Sequence, residues 1–176
     1  MRIVRRLFAL VSATGVIATV WLYFRSFSGA TLDSLGLTVL VLHVGIFVLI
    51  IPIFIAEYSA SNGRPFSSDK FAQGKPSWVV PAIQFLGVCF FAHFVLFAVQ
   101  GHFAGPGVRN GHYVLQSHGR IVKEISHADY VKLKGAELRI FVTSWMFFYF
   151  VAAAYWWFPR TPAAERNTTS AASPAD

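Results

Sequence analysis

Four long apolar runs constrain this chain more than any other feature. Leu7–Phe24, Leu35–Ala56, Trp78–Val99 and Leu138–Phe158 carry no Lys, Asp or Glu, and their one charge is Arg139 at the very start of the last run. Leu7–Phe24 has 18 residues, which at helical rise is about 27 Å, close to the ~30 Å hydrocarbon thickness of a bilayer. In water such runs would have to fold over one another into a single core. Only 13% of the 176 residues are charged and 55% are hydrophobic, whereas a soluble domain carries about a quarter charged residues. The expected fold class is therefore an all-α membrane protein, a four-helix transmembrane bundle over residues 1–158, with 159–176 as a polar tail.

The residues between and at the ends of the runs support this. Arg2, Arg5 and Arg6 precede the first run, and Trp21 and Tyr23 close it, as interfacial aromatics do. A cleaved signal peptide is the competing reading, since Ser28-Gly29-Ala30 resembles a cleavage site. Signal h-regions span about 7–15 residues, and the longer run here favours a retained anchor. Ser12, Gly15 and Thr19 form one small face on which a neighbouring helix can approach closely. Pro52 is expected to kink the end of the second span. Tyr155, Trp156 and Trp157 form an aromatic belt at the end of the fourth.

Four spans put both termini on one side. The basic start predicts that this side is the cytoplasm, and the Lys and Arg count, eight inside against seven outside, leans the same way. The expected location is the bacterial inner membrane, N-in and C-in. Asn167-Thr168-Thr169 then lies in the cytoplasm and is no glycosylation site. The net charge of +7 sits mostly at span ends and anchors helices there, so nucleic acid is not an expected partner. The lipid bilayer is.

The long polar stretch 101–137 is the expected extracytoplasmic feature. Gly105-Pro106-Gly107 reads as a breaker. Tyr113–Gln116 and Arg120–Ile125 read as the two arms of a β-hairpin over 113–125, turning at Ser117-His118-Gly119. Ser126-x-x-Asp129 marks a helix start. The pattern through Tyr130, Leu133 and Leu138 then continues without a strong breaker, predicting one helix from His127 to Phe158 with Gly135 as its weak point. Tyr113, His118, Arg120 and Tyr130 are the expected contacts of a non-enzymatic docking surface for another membrane or periplasmic protein.

Chemistry, if present, would rest on histidines. His43 and His93 lie inside spans at similar depth. Ionisable groups in lipid normally face the bundle interior and bond across helices, and that is the expected role. The alternative is a haem b or quinone site, since two level imidazoles on antiparallel neighbours suit bis-histidine ligation. Cys89 shares the His93 face and is expected to be a small buried group. His102, His112, His118 and His127 fit no zinc-ligand spacing. No span carries a mid-membrane acid, so transport is a weaker reading.

From Gly111-His112-Tyr113-Val114-Leu115-Gln116-Ser117-His118-Gly119 through to Phe141 the chain resembles a group of small uncharacterised bacterial four-span inner-membrane proteins. They share a G-x-Y-x-L-x-x-H-G loop running into the helix of the last span. The group commonly has Asn-Asn before His-Gly, where this chain has Gln116-Ser117. The resemblance implies membrane placement and singles out the loop; it brings no assigned activity.

Overall fold

The computed structural model describes residues 2–60, 71–100 and 104–158. Its elements in order are helix α1 (Arg2–Arg25), a 3-10 turn (Ser26–Ser28), a short helix α2 (Leu32–Leu35), α3 (Leu37–Ala60), α4 (Val79–Gln100), strands β1 (Gly105–Arg109), β2 (His112–Ser117) and β3 (Arg120–Glu124), and α5 (His127–Trp157). The four long helices are each long and apolar enough to cross a membrane. The expected tail 159–176 and the connection 61–70 lie outside the described residues.

The first polar turn is folded rather than open. Thr31 caps α2 through a reciprocal pair with Ser34. Gly36 then takes φ +47°, a backbone L-residues rarely adopt, and the second span restarts at Leu37 instead of Leu35. α3 continues through Pro52 to Ala60 without ending at the proline.

α5 is the axis of the bundle. Leu138, Val142, Trp145, Tyr149 and Ala152 are all buried and recur at alternating four- and three-residue steps, the spacing of a seam between long helices. α1 lies antiparallel against this seam. Its small face is where the two helices meet: Ser12 and Thr19 are fully buried, and a methyl on Gly15 would overlap the ring of Tyr149. Tyr149 is wedged on its other side by Gly45 of α3, and its hydroxyl donates to the Leu42 carbonyl at 2.9 Å. Lipid tails are as apolar as Leu, so such close approach and interhelical bonding, rather than hydrophobic burial, hold helices together in a bilayer. The buried hydroxyls cost little because they donate to their own helices, Ser12 to the Phe8 carbonyl (2.7 Å) and Thr19 to that of Gly15 (2.9 Å).

α4 packs on another face of α5, with Val79 and Phe71 against Ala154 and Gly87 facing Phe147. It is the most peripheral helix: 6% of its most apolar stretch is buried, against 39% for α5. Gly135 is the weak point expected of α5. The helix runs through it unbroken, and a side chain there would crowd the Ser26 carbonyl at 3.2 Å. The glycine lets the 3-10 turn rest directly on α5. Lys134 beside it bridges to Asp33 of α2 at 3.2 Å and to Glu137 at 3.1 Å, tying the folded turn to the same helix.

The hairpin is one strand larger than expected. The antiparallel order is β1-β2-β3, and Gly105-Pro106-Gly107 forms part of β1 instead of a breaker. Two features permit this. Proline is tolerated on an edge strand because it has no N–H to donate. Gly107 lies under the Gln116 side chain, and a Cβ there would sit 2.7 Å from Nε2 of that amide.

Gly15→Ala should therefore lower the unfolding free energy in detergent by about 1–3 kcal/mol, the usual cost of overpacking. Tyr149→Phe, which removes only the bond to Leu42, should cost about 0.5–1.5 kcal/mol. Equal stability of Gly15→Ala and the wild type would show that the ring can retreat.

Candidate functional site

The sheet is built by two tight turns. Asn110-Gly111 joins β1 to β2 and His118-Gly119 joins β2 to β3. In both, the two central residues have positive φ: 50° and 81° in the first, 50° and 80° in the second. That pair of signs is what a two-residue type I′ hairpin requires, and its twist matches that of the strands. Asn-Gly is the strongest short-range signal for such a turn, and it is the clue to β1 that the breaker reading passed over. His118 is an exposed turn residue, with Nδ1 3.0 Å from the Ser117 hydroxyl.

The sheet is fastened to α5 through one small core, in which Leu115 and Ala104 pack with Leu133 and Ile125. Tyr113 and Tyr130, expected as exposed contacts, are half-buried. Their rings lie 4.8 Å apart, with His127 5.0 Å from Tyr113. They join sheet to helix. Ser126 caps α5, its hydroxyl accepting from the Asp129 amide at 3.1 Å and donating to the Asp129 carboxylate at 2.7 Å. The direction in which the sheet leaves the bundle is thus set by the cap and by aromatic packing.

What the platform offers outward is β3. Every residue of it is exposed, including Arg120, and Ile121 and Val122 are 54% and 57% exposed. Leu115 pairs with Lys123 and Gln116 with Ile121, which leaves Val122 as an extra residue, a bulge in an edge strand. The result is an apolar pair flanked by Arg120 and Lys123, on a strand whose outer side pairs with nothing among the described residues.

His43 stands six residues into α3 and His93 seven residues before the end of α4. They are not brought together. His43 is exposed on the bundle surface rather than turned to its interior, and its Nδ1 accepts from the Trp145 indole of α5 at 3.3 Å. His93 is half-buried against α1. Its Nδ1 lies 2.8 Å from the Cys89 carbonyl; a carbonyl only accepts, so that nitrogen carries the proton. Its Nε2 lies 3.3 Å from the Tyr23 hydroxyl, within hydrogen-bond distance. Each imidazole serves a different helix contact. Among the described residues no hydrogen bond or ring contact joins His43 to His93, and none of the His, Cys, Asp and Glu side chains form a group of three that could hold a metal ion. His102 lies outside the described residues.

Comparison of the chain with protein-family models, with curated proteins and with solved structures found no match.

Gly119→Ala forces a methyl-bearing residue into a left-handed backbone, at a cost of about 1–2 kcal/mol. Hydrogen exchange over 113–125 should accelerate accordingly, while the thermal unfolding of the helices stays put. Coupled loss of both would mean that the sheet is no independent unit.

Proposed function

We propose that this is a non-enzymatic, multi-pass protein of the bacterial inner membrane, with both termini in the cytoplasm. Its sheet acts as an extracytoplasmic docking platform for another membrane or periplasmic protein. We also group it with the small four-span proteins whose Gly111–Gly119 loop motif it resembles. The observation that carries the docking reading is the exposure of Ile121 and Val122 on a sheet edge that is itself firmly fixed to α5. Burying a side chain of this size is worth about 1.5–3 kcal/mol, so the pair can anchor a contact. The flanking Arg120 and Lys123 favour an acidic rim on the partner. β1, the opposite edge, is blunted by Pro106, which leaves β3 as the adhesive side.

A photo-crosslinking residue at Val122, introduced in living cells, should give a discrete protein adduct. The same probe at Val88, exposed on α4, serves as the membrane-facing control. Val122→Asp should abolish a complex isolated through that adduct. A Val122 probe that crosslinks no more than the Val88 probe overturns the docking reading. A C-terminal reporter active only in the periplasm should stay silent; activity there inverts the orientation.

A further inference from the structure

At the end of the bundle away from the sheet, the start of α1 and the end of α5 border a half-open cavity of about 540 Å³. Arg5, Arg6, Ala9, Leu10, Trp156 and Trp157 line it. We propose that this cavity is a binding site for an acidic phospholipid, whose phosphate group sits between the two guanidinium groups.

The two arginines are not equivalent. Arg5 is held in place: its Nε donates to the Trp156 carbonyl at 2.7 Å and one Nη to the Trp157 carbonyl at 3.1 Å. These are carbonyls of the last turn of α5, which have no partner within the helix and form the negative end of its dipole. A guanidinium has five N–H groups, so three of Arg5 remain for another acceptor. Arg6 is exposed and lines the same cavity. Among the described residues no acidic side chain lines the cavity. The site therefore combines one pre-positioned cation with one free to close on an anion, and Arg forks match phosphate oxygens well.

The rest of the lining selects a lipid over a free anion. Leu10 is 57% exposed and Leu7, one turn back, 59%, so the cavity opens onto the apolar flank of α1. A molecule bound here has its charged part at Arg5 and Arg6 and an apolar path along Leu10. Trp156 and Trp157 stand beside it at the level where indoles favour the headgroup boundary. A phosphate ion uses only the first of these features, whereas a phospholipid uses all of them. The inference shares the membrane assignment with the proposed function and is independent of the docking sheet.

The test is lipid binding to the full-length protein in a mild detergent, read by native mass spectrometry with phosphatidylglycerol or phosphatidylcholine added. Phosphatidylglycerol should bind more tightly than phosphatidylcholine. Arg6→Gln should weaken it about fivefold, the value of one cation near an anionic headgroup. Arg5→Lys, which keeps the charge but loses the fork, should weaken it as well. Arg25→Gln, at the other end of α1, should leave it unchanged. Equal loss with Arg25→Gln, or none with Arg6→Gln, overturns the site. Inorganic phosphate that raises the melting temperature as much as short-chain phosphatidylglycerol would mean that the cavity recognises a bare anion, and overturns the lipid assignment.

Discussion

The bundle depends on one side chain. Tyr149 fills the space between Gly15 of α1 and Gly45 of α3 and donates its hydroxyl to the Leu42 carbonyl. Two glycines allow three helices to converge at one level, and the phenol closes the gap their missing side chains would leave. In a bilayer this arrangement matters more than apolar area, because lipid competes equally for any leucine face. The same logic recurs at Gly135, where the Ser26 turn rests on the α5 backbone. Both contacts lie along α5, and both fix α1 against it.

That rigidity extends past the bundle. α5 runs unbroken from the Ser126 cap to Trp157, so its first two turns project the sheet as a continuation of the helical frame. Tyr113 on Tyr130 and Leu115 on Leu133 transfer this rigidity to β2. The free strand β3 is thus the exposed edge of a sheet that is packed against α5. At the far end of α5, Arg5 of α1 completes the helix by donating to two of its last carbonyls. One helix therefore organises both surfaces of interest, the sheet at its start and the arginine cavity at its end.

Much of the architecture was legible in the residue pattern. The lengths of the apolar runs located all four long helices, since that length is dictated by the helical rise. Ser126-x-x-Asp129 marked the start of α5 because a cap is a local bond between residues three apart. Ser12, Gly15 and Thr19 marked the contact face of α1. β1 was hidden because Gly-Pro-Gly is a breaker by local preference; only its place on a sheet edge, under Gln116, makes it a strand. Tyr113 and Tyr130 read as a surface pair, yet their stacking depends on how the sheet folds back onto α5.

The histidines mark the same boundary. Their equal depth is an expectation from counting residues along each helix. Which neighbour each ring faces depends on the rotation of α3 and α4 about their own axes, and no periodicity within a single helix reports that. Trp145 takes His43 and Tyr23 takes His93 because α5 and α1, not each other's helices, are their packing partners. The sequence by itself determined the number and approximate positions of the four long helices and the start of α5, through hydrophobic run length and capping, which act within a few positions of the chain. Only the tertiary structure decided which faces meet, what the glycines admit, and that Arg5 and Arg6 come to lie beside Trp156 and Trp157, because these contacts join residues more than a hundred positions apart.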